Sequence, residues 1–120
     1  MTKRILLADK STYSRWTMRD ILVTHGYSIV GEAKSGEEAI NKYNQLKPDL
    51  LVMDLSLSEP AVVSTIYHLR TKYPDVCILI SCSMGQRRGA IEALAAGAQD
   101  FVTRPYSERR VAETVKKITR

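Results

Sequence analysis

Five short apolar segments, "RILLAD", "SIVGEA", "DLLVMDL", "VCILISC" and "DFVT", recur along the chain, and each is followed by a stretch with helical spacing. The first, third and fourth are nearly continuous apolar runs rather than alternating ones. Strands covered on both faces have that composition. In the intervening stretches the apolar positions fall three and four residues apart, as one helix face requires. Ser14, Met18, Ile21 and His25 form the first stripe, and Ala39, Ile40, Tyr43 and Leu46 the second. Val63, Ile66 and Leu69 form the third, Ile91, Leu94 and Ala95 the fourth, and Val111, Val115 and Ile118 the fifth. Ser35 and Glu38 are spaced for a capping box before the second helix, and Gly97 marks the stop of the fourth. Five repeats of strand and helix with short connections predict an α/β fold. Right-handed crossovers leave few strand orders. The expectation is a five-stranded parallel sheet, order 2-1-3-4-5, flanked by five helices.

A length of 120 residues suits one domain with a real core, so residues 1–120 are read as a single domain. With 44% hydrophobic and 26% charged residues, the chain reads as a soluble globule rather than a disordered segment. The start "MTKRILLADK" returns to charge too soon for a signal peptide, and no run reaches the ~20 apolar residues of a membrane span. Cys77 and Cys82 share one strand. Their five-residue separation is roughly 17 Å in extended chain, too far for a disulfide. A reduced, cytoplasmic protein is expected. The net charge of +5 is uneven, because residues 84–120 hold 8 Lys/Arg against 4 Asp/Glu. Such an excess is either an ordinary solvated surface or a face for an acidic partner.

In open parallel sheets ligands bind beyond the carboxyl ends of the strands, at the switch point between strands 1 and 3. Those ends carry Asp9 and Asp54. Strand 4 ends at Cys82 and Ser83, and strand 5 near Thr103 to Pro105. Four separate stretches thus meet at one rim, and its carboxylate pair points to a divalent cation or to phosphoryl chemistry.

The stretches "ILLADKSTYSR", "KPDLLVMDLSL", "SMGQ", "EALAAGAQDFV" and "RPYS" resemble, in order and spacing, the receiver domain of two-component response regulators. The likeness is greatest to the small stand-alone chemotaxis receivers of the CheY type, and it spans the whole chain. The resemblance implies a flavodoxin-like, CheY-like fold with Asp54 at the phosphoacceptor position. It implies a magnesium site from Asp9, its neighbour Lys10, Asp54 and the carbonyl of Ser56. It places the strand-4 hydroxyl of the family at Cys82, the strand-5 lysine at Arg104 and the switch aromatic at Phe101. It also implies a regulatory domain rather than an enzyme.

The departures are chemical. Lys10 stands where the family keeps a second acid, Cys82 replaces a hydroxyl, and Arg104 replaces a lysine. Ser58 and Val62 occupy positions that usually hold Pro and Gly, which alters the loop before the third helix. Two carboxylates facing Lys10 and Arg104 are balanced without a metal. An ammonium has no lone pair to offer magnesium and repels it at close range. Lys10 is therefore read as a built-in cation that pairs with Asp54 or Asp9. The bland alternative is a surface lysine pointing away from the rim. No cofactor is expected, and magnesium at most weakly.

Cys82 is either a small buried hydrophobe or a redox-sensitive thiol activated by Lys10 and Arg104. His25 and His68 read as ordinary helix residues, and Trp16, off its stripe, as chance or an interface anchor. Two functions follow. One is an atypical receiver with impaired magnesium binding and phosphorylation that acts through protein contacts. The other is a conventional receiver phosphorylated on Asp54 by a histidine kinase. In either, helix 4, strand 5 and helix 5 form the output face, with Arg87, Arg88, Arg109, Arg110, Lys116, Lys117 and Arg120. The expected partners are proteins, a histidine kinase or a chemotaxis or motor component. Neither membrane nor nucleic acid is expected, and the protein is expected to be a monomer or weak dimer.

Overall fold

In a computed structural model, which describes residues 2–57 and 59–120, the strands are β1 (Arg4–Ala8), β2 (Ser28–Ala33), β3 (Leu50–Asp54), β4 (Ile78–Ser83) and β5 (Asp100–Arg104). The helices are α1 (Thr12–Thr24), α2 (Gly36–Leu46), α3 (Glu59–Lys72), α4 (Arg87–Ala96) and α5 (Glu108–Ile118). All strand pairs are parallel and the order is β2-β1-β3-β4-β5, as the sequence pattern predicts. Successive side chains of a strand point to opposite faces. The sheet therefore supports two cores. Leu6, Leu51, Met53, Ile78, Ile80 and Cys82 pack under α2, α3 and α4. Ile5, Leu7, Val52, Leu79 and Val102 pack under α1 and α5. Each fully buried Leu or Ile contributes about 1.5–3 kcal/mol.

The helix starts follow their caps. Ser11 and Ser107 accept the Ser14 and Arg110 amides at α1 and α5. At α2 the Ser35 hydroxyl accepts the Glu38 amide at 3.1 Å, while the Glu38 carboxylate reaches the Lys34 amide, one residue further back than a capping box requires. Gly97 ends α4 with φ 129° and returns its N–H to Ala93 and Leu94. That conformation favours glycine.

Three helical stripes differ from the expectation. In α4 the buried face is Ala90, Ala93 and Ala96, whereas Ile91 is 55% exposed and Ala95 also faces solvent. Small side chains let this helix lie close to the sheet, so bulk is a poor guide to its inner face. In α3, Val62 is fully buried and Val63 only partly. In α1, Arg15 and Leu22 are buried, and His25 is the exposed residue at the helix end. The Ser58 position lies outside the described residues. Among the described residues, no helix is long and apolar enough to cross a membrane.

Candidate functional site

Parallel strands deliver their carboxyl ends to one edge, and here β1, β3, β4 and β5 end together. Asp54, the last residue of β3, sits opposite Ser81 of β4, and Ser83 sits opposite Arg104 of β5. By the period of two, Asp54, Ser81, Ser83 and Arg104 project to the α1/α5 side of the sheet. Cys82 and Phe101 project to the other.

Asp54 is 1% exposed and its carboxylate is fully engaged. The Ser81 hydroxyl donates to Oδ1 at 2.6 Å and the Ser56 amide donates to Oδ2 at 2.9 Å. Arg104 Nη1 forms an ion pair with Oδ1. The same Nη1 faces the Tyr106 hydroxyl at 3.1 Å and Ser14 Oγ at 3.3 Å, while Nη2 donates to Ser83 Oγ at 3.0 Å. Burial opposes the charge on Arg104. Hydrogen bonds to Asp54 and Tyr106, with the attraction of Asp54, more than offset that, so its pKa is raised and the guanidinium stays charged. Pro105 follows through a cis peptide bond.

Asp9, just beyond β1, is 5% exposed and lacks a cationic partner among the described residues. Its Oδ1 accepts the Ser11 amide at 2.9 Å and the Ser56 hydroxyl at 3.2 Å. Its carbonyl accepts a 2.7 Å bond from the buried Arg15, whose Nε pairs with Glu32 at 2.6 Å. Arg15 therefore ties α1 to both β1 and β2.

Lys10 is exposed, and among the described residues its ammonium makes no ion pair with Asp9 or Asp54. Its contact with the rim is its backbone amide, which donates to Ser56 Oγ at 3.3 Å. The pairing expected of Lys10 is thus made by Arg104. A four-carbon stem holding a strongly hydrated ammonium keeps its charge in water, whereas the Arg104 fork reaches inward to a buried carboxylate.

Magnesium requires six oxygen ligands in near-octahedral order. The protein donors here are the carboxylates of Asp9 and Asp54, each hydrogen-bonded to the rim, with a lysine in the third acid's place. No group of three or more His, Cys, Asp or Glu side chains assembles among the described residues. Two carboxylates with solvent oxygens are enough to complete that order, and the charge of Lys10 opposes it.

Cys82 is fully buried, and its thiol faces the Val102 carbonyl at 3.7 Å on the α3/α4 side. Burial pushes its pKa up, the Asp54 charge pushes further, and Arg104 opposes without prevailing. The activation expected from Lys10 and Arg104 is absent, because desolvation of the thiolate outweighs the one nearby cation. Phe101 is half-buried and packs against the core beneath α4. Arg87, Arg88, Arg109, Arg110, Lys116, Lys117 and Arg120 are all exposed on α4 and α5 or just after it. Arg88 and Arg109 are drawn toward Glu92 and Glu113 of their own helices, at 3.9 and 3.5 Å. The sequence reading missed Ser14, Ser81 and Tyr106 as parts of the site. The signal for Ser81 was present, since it flanks Cys82 and must share a face with Asp54 across the sheet.

Residues 5–116 match the family described as the response regulator receiver domain. The chain is 37% identical to the chemotaxis protein CheY of Thermotoga maritima over 120 residues, covering 100% of both chains. It is 34% identical to the chemotaxis protein CheY of Bacillus subtilis over 117 residues, covering 98% of both. Among solved structures it superposes on a LuxR-family two-component response regulator from Aurantimonas sp. SI85-9A1 with a TM-score of 0.89 and 30% identity. That match covers 99% of this chain and 86% of the other.

Proposed function

Because the chain belongs to the response regulator receiver domain family, and is thus a regulatory domain of two-component signalling and not an enzyme, we propose that its signal is a phosphoryl group accepted on Asp54. The observation that carries this reading is the position of Asp54, a buried carboxylate at the carboxyl end of the central strand, held against a guanidinium. The full-length likeness to two chemotaxis proteins named CheY supports the same reading. Phosphoryl transfer is chiefly positioning and charge neutralisation. Arg104 supplies a fixed positive charge beside the nucleophile, and Ser81 and the Ser56 amide hold the carboxylate in place.

In the step proposed, a carboxylate oxygen of Asp54 bonds to phosphorus as the bond from phosphorus to the donor's imidazole nitrogen breaks. The imidazole leaves with that electron pair. The donor is a phosphohistidine of a histidine kinase. The output face is the basic surface of α4, β5 and α5, and its partner is an acidic protein segment, in chemotaxis or a motor. Mass spectrometry of the intact chain after incubation with a small phosphodonor tests the reading. The expected result is a gain of one phosphoryl group in the parent and none in Asp54→Asn. No gain in the parent, with and without magnesium, overturns it.

A second reading is favoured by Lys10, a cation at the position next to Asp9 where a further acid would serve magnesium. In that reading the receiver is atypical, takes up phosphate slowly or not at all, and signals through protein contacts set by the Asp54–Arg104 pair. The rate of uptake in the same experiment separates the two: gain within minutes supports the first reading, and gain only over hours or none supports the second.

A further inference from the structure

The outer face of α1 carries more apolar surface than solvent contact requires. Met18, Ile21 and Leu22 turn toward the sheet. On the opposite side Tyr13, Trp16, Asp20 and Val23 are all exposed, at the three- and four-residue spacing of one helix stripe. Trp16 is 62% exposed and Tyr13 78%. Single exposed apolar residues are ordinary, whereas a contiguous patch rimmed by polar groups marks an interaction surface. Trp16, Arg19, Asp20 and Val23 line a hollow of about 140 Å³ in this stripe. At its edge Arg19 reaches Glu32 at 2.9 Å, whereas Asp20 pairs with no cation among the described residues.

We propose that this face binds a second copy of the chain, through two α1 helices that cross antiparallel at Trp16. A two-fold interface uses the same patch on both sides, so the patch must hold a projection and its receptacle together. The outer face of α1 holds both. Side chains on a helix lean toward its N-terminus. In an antiparallel pair crossing at Trp16, Tyr13 of one copy therefore leans toward residues 19–23 of the other. Its ring enters the hollow between Arg19 and Val23, and its hydroxyl donates to the unpaired Asp20 carboxylate. Symmetry repeats the contact, and the two Trp16 rings meet at the axis in an offset stack. Charge favours a second copy over an acidic protein. The exposed stripe and its edge are balanced by Arg19 and Asp20, while the basic excess of the chain lies in residues 84–120. An acidic partner is drawn to that surface and not to α1. One helix face buries roughly 400 Å² per copy, about half of a standard interface, so the dimer is weak and reversible. The inference is independent of phosphoryl uptake, because Asp54 takes no part in the contact.

Sedimentation equilibrium of the full chain, without phosphodonor or magnesium, between about 20 µM and about 1 mM tests this. The mean mass should rise from one chain toward two, with a dissociation constant on the order of 100 µM for so small an interface. Each copy carries a net charge of +5, so association should tighten as salt screens the repulsion. Trp16→Asp removes the stack and sets two carboxylates against each other at the axis, and the rise in mass should vanish. Trp16 is exposed, so the fold tolerates the change. Tyr13→Phe keeps the ring and removes only the hydroxyl, which should weaken the dimer about tenfold, since two bonds are lost per pair. Amide NMR shifts should move with concentration at residues 12–24 and stay fixed at 84–118. Single-chain mass up to about 1 mM overturns the proposal and leaves the face to a different protein. A dimer untouched by Trp16→Asp overturns it too, as do association that weakens with salt and concentration-dependent shifts centred on α4 and α5.

Discussion

The two faces of the sheet at its carboxyl rim are built from opposite materials. On the α1/α5 side, Asp54, Ser81, Ser83, Arg104, Ser14 and Tyr106 form one hydrogen-bonded cluster around an ion pair. On the α3/α4 side, one β-strand step away, Cys82 and Phe101 continue the apolar core to the edge. A one-residue alternation therefore decides whether a side chain at this rim handles charge or merely fills space. The polar face can respond to a change at Asp54 and the apolar face can only repack. The comparison fails if removing a polar-face group costs no more than perturbing the apolar face.

Arg104→Ala makes the largest breach. Asp54 is 1% exposed, and its side chain would be left without a cation. Removing one member of a buried pair typically costs 3–5 kcal/mol because the other charge stays unpaired. Arg104 keeps 27% of its side chain exposed, so the loss should fall at the lower end, about 3 kcal/mol by urea unfolding. Adding Asp54→Asn to Arg104→Ala should recover a large part of it, since the stranded charge is then gone. A loss below about 0.5 kcal/mol would mean that the ion pair does not organise this face.

Cys82→Ser perturbs the apolar face with the smallest available change. A hydroxyl has a shorter bond to carbon than a thiol, and the thiol already stands 3.7 Å from the Val102 carbonyl. The serine oxygen is left buried with a poor partner, at a cost of about 1–2 kcal/mol. The substitution also changes the alkaline limb of stability. Burial raises the Cys82 pKa above the ordinary thiol value of 9.0. As pH climbs past that value the unfolded thiol loses its proton while the folded one keeps it. Stability contributed by this group is thus intact below pH 9.0 and declines above it, by at most about 1.4 kcal/mol per pH unit. Cys77 is raised for the same reason and declines in the same range. Cys82→Ser should make the decline shallower in urea titrations run above that pH. An unchanged slope would place the thiol in water.

The sheet, its order and the two layers of helices were legible because apolar runs and helical stripes are dense, redundant signals. Many residues agree, and one mistaken position does not alter the outcome. The α4 face shows the limit, since a helix that packs through Ala90, Ala93 and Ala96 hides its inner side behind a more apolar Ile91. At the site, the positions Asp9, Asp54 and Arg104 were legible from order and spacing, but the partner of Asp54 was not. Lys10 and Arg104 are both cations near the rim, and sequence spacing does not say which side chain turns inward. The fork length of Arg104 and its face of β5 decide it. The strand parity that puts Ser81 beside Asp54 and turns Cys82 away could be counted from the residues, yet motif position alone pairs Cys82 with Asp54.

Lys10 sharpens the comparison with the smallest effect on stability and a separate effect on binding. Its side chain is exposed and belongs to neither face, so Lys10→Asp should change urea stability by no more than about 0.5 kcal/mol. The same substitution returns a third carboxylate to the rim next to Asp9 and removes a charge that repels a divalent ion. Magnesium, which needs oxygen ligands in number, should then bind the variant more tightly than the parent. A ligand that binds only the folded chain stabilises it in proportion to the logarithm of its concentration over the dissociation constant. Thermal midpoints measured across a magnesium series should therefore rise in Lys10→Asp and stay nearly flat in the parent. If both rise together, the two carboxylates and the Ser56 carbonyl already hold the ion. The hydrogen bonds that now bind Asp9 and Asp54 to Ser56 and Ser81 must then yield to it, and the polar face is a metal site that Lys10 leaves untouched.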